Sequence, residues 1–112
     1  MQVDTVEFLV QGSSPSPYRV TFQKIGDHLA AFCTCAAGES GQYCKHRFNI
    51  LYALEDGIVS SNLHQVELVA SWLAGSDVEA ALSEVAQAEA AFEKAKKAVT
   101  AAKKKVAAVM RA

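Results

Sequence analysis

The chain has 112 residues, 51% of them hydrophobic, and its 11 basic and 12 acidic side chains leave a net charge of -1. That length allows one compact domain with an appendage and excludes a large multi-domain enzyme. The small net charge gives no general reason to expect binding to nucleic acid or to a membrane surface. The sequence has no apolar run near the roughly 20 residues that cross a bilayer, and no signal-peptide pattern at its N-terminus. We therefore expect a soluble protein of the cytoplasm or of another reducing intracellular compartment.

The composition changes sharply near residue 75. Every glycine, proline, histidine and cysteine lies in residues 1–75, which carry 4 basic and 7 acidic side chains. The remaining 37 residues carry 7 basic and 5 acidic side chains, so the two parts have charges of -3 and +2. Such a shift indicates a boundary. We predict three segments: a small module over 1–60, a connecting amphipathic helix over 61–75, and an alanine-rich helix over 76–112.

Three stretches near the N-terminus have the composition of β-strands. Val3–Val10 is rich in β-branched and aromatic residues with partial alternation, and a run of glycine, serine and proline over 12–17 ends it. Tyr18–Phe22 alternates as a second strand, and Leu29–Phe32 forms a third strand that leads into Cys33. The sequence therefore predicts a small antiparallel β-meander.

Two helices are predicted after the last cysteine. His46–Leu54 is apolar on more than one face, which is typical of a short buried helix, and Gly57 would stop it. Leu63–Ala74 has apolar residues at helical spacing. The predicted fold class is α+β, with the meander and a short helix followed by a long C-terminal helix. The large aromatic side chains of the first part are expected in its core: Phe8, Phe22, Phe32, Phe48 and Trp72.

All the cysteines lie in one short stretch, together with one histidine. A Cys-x-Cys pair at 33–35 and a Cys-x-His pair at 44–46 are separated by an eight-residue loop with two glycines. Three cysteines cannot all pair in disulfides, and closely spaced cysteines in a reducing compartment more often bind metal. A structural zinc is bound by four cysteine or histidine side chains in a tetrahedron, which leaves no coordination position open for a substrate or water. The sequence therefore predicts one structural zinc, with the loop long and flexible enough to bring the pairs together, bound by Cys33, Cys35, Cys44 and His46.

This pattern resembles that of the SWIM-type zinc finger family. Cys-x-Cys, a variable loop and Cys-x-His are shared features. The strand containing Tyr18-Arg19-Val20, and Cys44-Lys45-His46 running into an apolar helix, are also similar to that family. The resemblance covers roughly residues 3–56. It implies a small ββα-type fold around one zinc, in proteins that contact DNA or other proteins.

Other uses of the same residues are less favoured. Three buried cysteines could pack as small hydrophobic side chains, but a chance combination that places every cysteine in one of the two motifs is improbable. A cysteine nucleophile with a histidine base would leave two cysteines unused and has no evident orienting carboxylate, so we expect no enzymatic activity. Oxidation of the clustered thiolates with release of zinc stays open. His28 and His64 are interpreted as a turn residue and a helix-surface residue.

Residues 76–112 carry a heptad repeat. Valine or phenylalanine recurs every seven residues, and a second row, mostly alanine, follows three positions later. Ser76 followed by Glu79 is a capping-box pattern for the start of the helix. We call the two rows together the heptad seam: Val78, Ala81, Val85, Ala88, Phe92, Ala95, Val99, Ala102, Val106 and Val109.

The charges of this helix are polarised along its length. Its five acidic side chains precede its seven basic ones. This order gives favourable interactions with the helix dipole and would also complement the charges of an antiparallel partner helix. We therefore expect self-association, or binding of another protein, through the heptad seam. The alternative is packing of this helix against the module or the 63–74 helix of the same chain.

Nucleic-acid binding is the second hypothesis. It rests on the family resemblance and on four bases near the predicted finger, Arg19, Lys24, Lys45 and Arg47. Phosphate contacts dominate such binding, whereas the first part of the chain is net acidic and the lysines of the long helix spread over about half of its circumference. The sequence therefore favours a non-enzymatic zinc-binding interaction module, with binding of DNA or RNA as the alternative.

Overall fold

A computed structural model describes residues 4–112 and divides the chain into two compact units. The sheet unit extends to Glu79, and the helical unit comprises Ala80–Ala112. The predicted α+β fold class is confirmed, although Val3, where the first strand was predicted to begin, lies outside the described residues. The elements are β1 Asp4–Val10, β2 Tyr18–Ile25, β3 His28–Cys33, α1 Ala36–Glu39, α2 Lys45–Leu51, a 3-10 turn Leu63–Gln65, α3 Val66–Ser71 and α4 Asp77–Arg111.

The three strands form an antiparallel meander in the order β1-β2-β3. Because side chains alternate between the two faces of a strand, the register places Val6 opposite Phe22 and Phe8 opposite Val20 on one buried face. Val20 also pairs with Cys33 of β3. Cys33 is therefore held on the core side of the sheet.

The helices complete the core on that face. Ile50 and Leu51 of α2 and Val66 and Val69 of α3 are buried against the inward side chains of the sheet, together with Trp72. The aromatic rings of Phe8 and Phe22 lie edge to face, 6.1 Å apart, inside this cluster. The apolar residues of both helices therefore cover the sheet and the cysteines at its edge.

Phe32 is the aromatic residue whose predicted burial is wrong. Its side chain is 58% exposed, whereas its neighbour Cys33 is 5% exposed. Consecutive residues of a strand point to opposite faces, so a buried Cys33 forces Phe32 outward. Phe8, Phe22 and Trp72 are buried as predicted, and Phe48 is half-buried.

Both short helices are shorter than predicted. Helix α2 ends at Leu51 instead of Leu54, because Ala53 adopts a left-handed conformation with φ of 63°. The amides of Ala53 and Leu54 bond back to the carbonyls of Ile50 and Asn49, which is the Schellman pattern of a helix end. The predicted 63–74 helix is divided into the 3-10 turn and α3, which ends at Ser71.

Helix α4 begins with the cap that the sequence indicates. The Ser76 hydroxyl accepts a hydrogen bond from the Glu79 amide at 3.2 Å. The Glu79 carboxylate accepts from the amide of Gly75, one residue before the position that a capping box predicts. Within the sheet unit, Val78 packs partly buried against the core.

The helical unit is a continuous helix up to Arg111, and none of the α4 side chains is buried. Its 13 alanines from residue 80 onward, and the lack of glycine and proline, favour this conformation without tertiary support. Of the helices in the described residues, none combines the length and the apolar character needed to span a bilayer.

Candidate metal centre

The structure brings the four predicted ligands together. One donor atom from each of Cys33, Cys35, Cys44 and His46 lies within 4.8 Å of the other three. The sulfurs of Cys35 and Cys44 are 3.4 Å apart. His46 turns its Nδ1 toward the sulfurs, 3.7 Å from Cys33 and 3.6 Å from Cys44. The three cysteines are buried and His46 is half-buried, so the donors face one another instead of solvent.

The Cys-x-Cys pair is fixed by the end of the sheet. Cys33 is the last residue of β3, and Cys35 is the N-cap of α1. Between them, Thr34 forms two hydrogen bonds to β2: its amide donates to the Arg19 carbonyl at 3.1 Å, and its hydroxyl accepts from the Arg19 amide at 2.9 Å. The chain therefore turns sharply at Thr34, and both thiols point into the same space.

The Cys-x-His pair is fixed by the start of α2. Cys44 is the N-cap of this helix and His46 lies in its first turn. The imidazole packs against the ring of Tyr18, with centroids 5.0 Å apart. A Cβ atom at Gly12 would lie 2.5 Å from the Tyr18 ring and 3.3 Å from Nε2 of His46. The turn between β1 and β2 therefore holds the histidine ring from its outer side.

The loop between the two pairs is more ordered than the sequence indicates. Residues Ala36–Glu39 form a single helical turn, α1. The Gly38 amide donates to the sulfur of Cys35 at 3.3 Å, and a Cβ atom at Gly38 would lie only 2.5 Å from the carbonyl oxygen of Cys33. Gly38 is therefore a residue of the site that sequence reasoning missed. Its position between the two cysteine pairs was the available signal, but the need for glycine comes from the close approach of the Cys33 backbone.

Burial, hydrogen bonds and a neighbouring charge shift the pKa values of three residues of the cluster. Burial raises the pKa of the Cys33 thiol to about 12. Burial also opposes ionisation of Cys44, but the backbone amide of Arg47 and the thiols of Cys35 and Cys33 together hold the pKa of Cys44 below its ordinary value. Burial, followed by the charge of Lys45, lowers the pKa of His46. A neutral imidazole is the form that binds a metal ion.

The donor set, and three of its donor–donor distances, fit a tetrahedral ion. Zn–S distances near 2.3 Å and Zn–N distances near 2.0 Å imply ligand–ligand separations of roughly 3.5–3.8 Å in a tetrahedron. The three separations given above, 3.4, 3.6 and 3.7 Å, lie at or close to that range. Thiolate and imidazole are the ligands that structural zinc takes. This is a buried Cys3His group that could hold a metal ion, and its composition is that of a zinc-finger-like site.

The predicted nucleic-acid contacts do not form a cluster of free bases. Arg19 forms an ion pair with Glu7 at 3.2 Å. Lys24 donates to the Trp72 carbonyl at 3.4 Å. Arg47 donates to the carbonyls of Ala31 and Gln42, so its guanidinium joins β3 to the loop before α2. Lys45 is exposed.

The two histidines outside the cluster are both exposed. His28 is the first residue of β3, and its Nδ1 pairs with the carboxylate of Asp77 at 2.5 Å. His64 lies in the 3-10 turn before α3. Neither histidine belongs to the group of four donors.

The first residue of the heptad seam has a different environment from the others. Val78 is partly buried against the core of the sheet unit. From Ala81 onward the seam residues are exposed, including Phe92 at 67% and Val106 at 59%. A regular row of large apolar side chains exposed along a helix is typical of an interaction surface.

Comparisons with protein-family models, with curated proteins and with solved structures gave no match. The assignment of the site therefore rests on its own residues. Residue type, mutual distance and burial together describe a group that could hold a metal ion. The exposed apolar row of α4 is a separate feature that hints at a binding partner.

Proposed function

We propose that the chain is a non-enzymatic zinc-binding interaction module. One structural zinc is held by Cys33, Cys35, Cys44 and His46, and the exposed heptad seam binds a protein partner. The convergence of the four buried donors within 4.8 Å is the observation that carries this proposal. The helix contributes the interaction surface.

Zinc has a structural purpose in a unit of this size. Fewer than 80 residues bury a limited apolar core, and small domains often need a metal or disulfides to fold. The ligands come from the end of β3, the cap of α1 and the start of α2. An ion bound there joins the sheet to the helices that cover it. Structural zinc contributes about 10–16 kcal/mol of apparent binding free energy, which is as large as the stability of a whole domain.

We propose further that the sheet unit is a SWIM-type finger. The Cys-x-Cys and Cys-x-His spacings support this assignment, as do the two strands that precede Cys33 in the antiparallel sheet and the helix that begins at Lys45. The four donors are the residues that the family resemblance names. The long helix α4 is an addition to that minimal module.

Several features of the cluster argue against catalysis by it. A nucleophilic cysteine needs a histidine that can take up its proton and an open side facing a substrate. Here the Nδ1 of His46 is directed to two sulfurs at once. All four donors are used within the group, which supports a closed structural site.

A protein partner is favoured over a nucleic acid because of how the bases are used. Three of the four candidate bases of the sheet unit are engaged with Glu7 or with backbone carbonyls. Phosphate recognition requires clustered free bases. The exposed apolar seam of α4, in contrast, has a surface that burial against another protein would stabilise.

Native mass spectrometry of the intact protein, before and after treatment with a chelator, tests the zinc assignment. We expect one zinc ion per chain, and we expect its removal to abolish the near-ultraviolet circular dichroism of Trp72, which is buried in the core. A chelator already saturated with zinc serves as the control. A folded chain that carries no metal, and whose spectrum the chelator leaves unchanged, would contradict the proposal.

A further inference from the structure

The exposed face of α4 consists of one row of large side chains beside one row of small ones. Valine or phenylalanine occupies the first row, and alanine occupies the second from Ala81 to Ala102. Residues three apart are neighbours on a helix surface, so a row of large side chains runs alongside a row of small ones. A partner that fits this face presents a small side chain wherever this helix presents a large one, and the reverse.

An antiparallel second copy of the same helix meets that requirement. In antiparallel pairs, the first heptad row of one helix faces the second row of the other. When Phe92 lies opposite Ala95 of the second copy, the same register places Val85 opposite Ala102, Val99 opposite Ala88, and Val106 opposite Ala81. Each of these layers therefore contains one large and one small side chain, which gives an even separation and a well-filled interface. The remaining pair of the heptad seam, Val78 opposite Val109, is the exception, with two large side chains.

A parallel pair would pack less well. Identical positions would meet, so Phe92 would face Phe92 while each alanine faced an alanine. Layers with excess volume would alternate with layers that leave a gap, and both overpacking and cavities are destabilising.

The charges beside the seam favour the antiparallel orientation and select this register. In an antiparallel pair, each flanking position faces the equivalent position of the other helix. The register above then places Glu84 opposite Lys105, and Glu89 opposite Lys96. By symmetry this gives four complementary contacts. In a parallel pair, Glu84 would face Glu89, which is a repulsion between like charges.

We infer that the partner of α4 is a second copy of this chain, bound antiparallel with Phe92 opposite Ala95. This inference rests on the proposed function, because it names the occupant of the interaction surface proposed there. Side-chain size and charge both favour the antiparallel orientation, and charge selects this register.

A charge exchange in the zinc-loaded, full-length protein tests this pairing. The variants are Lys105→Glu and Glu84→Lys, with Lys104→Glu as the matched control because residue 104 lies on the side of the helix opposite the seam. Residues 84, 104 and 105 have no charged residue three or four positions away in their own helix. Lysine and glutamate also have similar helix propensities. A change in association therefore reports on contacts between chains.

Sedimentation equilibrium over a range of concentrations measures the dissociation constant. We expect the unmodified chain and Lys104→Glu to dimerise alike. Each of the two seam-flanking variants turns two attractions into two repulsions, so we expect dimers weakened about tenfold or more. The double variant should regain the original affinity. An equimolar mixture of the two single variants, one labelled with 15N, should form the mixed dimer preferentially in native mass spectrometry.

Other outcomes would overturn the inference in distinguishable ways. Tighter association of Glu84→Lys, with Lys105→Glu unchanged, would indicate parallel pairing, because the Glu84–Glu89 repulsion would have been relieved. A zinc-bound chain that stays monomeric at a concentration on the order of 100 µM would exclude a second copy as the partner. In that case the zinc module would stand, and the seam would bind a different protein. A chain without zinc would instead contradict the proposed function.

Discussion

The sheet unit and the helical unit are ordered by different physical effects. In residues 4–79, fourteen hydrophobic side chains are buried in a core that includes the three cysteines. In Ala80–Ala112, not one side chain is buried. The first unit therefore depends on contacts between residues distant in sequence. The second depends on local hydrogen bonds and on the high helix propensity of alanine.

This difference separates two roles within one chain. The sheet unit buries its apolar residues in its own core, and the metal ion that we propose would join the edge of the sheet to the helices. The helical unit leaves its apolar residues free for another surface. Changes at the metal centre should therefore affect the stability of the sheet unit strongly and the intrinsic helicity of the helical unit only weakly.

Removal of one zinc ligand should have the largest effect. We expect Cys44→Ser to lose the metal and unfold the sheet unit, because the binding free energy of structural zinc is comparable to the stability of a whole domain. The helical signal of residues 80–112 should persist in the far-ultraviolet spectrum while the near-ultraviolet signal of Trp72 disappears. His46→Ala should behave in the same way.

His64→Ala is the matched control for the ligand variants. His64 is exposed and lies outside the group of four donors, so its removal should leave both the metal content and the spectra unchanged. Retained metal and an unaltered near-ultraviolet spectrum in Cys44→Ser would contradict the dependence of the sheet unit on zinc.

Gly38→Ala should have an intermediate effect, confined to the sheet unit. The new Cβ atom would lie 2.5 Å from the carbonyl oxygen of Cys33, so the Cys-x-Cys turn must shift. Overpacking of this kind costs about 1–3 kcal/mol, which corresponds to roughly five- to 150-fold weaker zinc binding. Competition with a zinc-sensitive dye measures the change.

Glu39→Ala, in the same helical turn, is the control for that substitution. Its side chain is exposed. Because substitutions at exposed positions usually change the free energy little, we expect the zinc affinity to stay within about twofold of the original. Equal affinity in Gly38→Ala and Glu39→Ala would show that the turn accommodates a methyl group, and the role assigned to Gly38 would be wrong.

The sequence was sufficient for features that follow from short-range patterns. Alternation located the three strands, the heptad repeat located α4, and the spacing of cysteine and histidine selected four residues that the structure brings together. Each of these signals is carried by residues close to one another in the chain. Alternation could also have corrected one error, since a buried Cys33 requires an exposed Phe32.

Other features depend on contacts that no local pattern contains. The close approach of Gly38 to Cys33 arises only when α1 folds back on β3. The use of Arg47 to join the carbonyls of Ala31 and Gln42 arises in the same way. Arg47 was predicted as a nucleic-acid contact because a basic residue beside a finger is ambiguous until its hydrogen-bond partners are known.

Substitution of Asp77 should have the smallest effect on stability, and it tests where the boundary between the two units lies. This first residue of α4 bonds to β3 within the sheet unit: its carboxylate accepts from the amide of Leu29 at 2.9 Å and pairs with His28. The hydrogen bond from His28, followed by that from the Leu29 amide, lowers the pKa of Asp77 below its ordinary value of 3.8. Its contribution to stability is therefore complete above pH 3.8 and is lost as the pH falls through the lower pKa of the folded state.

We expect Asp77→Ala to lower the melting temperature of the sheet unit by a few degrees at neutral pH, because the Leu29 amide loses its acceptor. The decrease should keep its sign at every pH above 3.8, where the carboxylate is ionised. Asp27→Ala is the control: Asp27 lies in the turn before β3, and its backbone carbonyl, which accepts from the Asp77 amide at 2.9 Å, is retained in the variant. Thermal melts followed by Trp72 fluorescence make the comparison. Identical melting of the two variants would mean that the start of α4 belongs energetically to the helical unit, and that the sheet unit ends before Asp77.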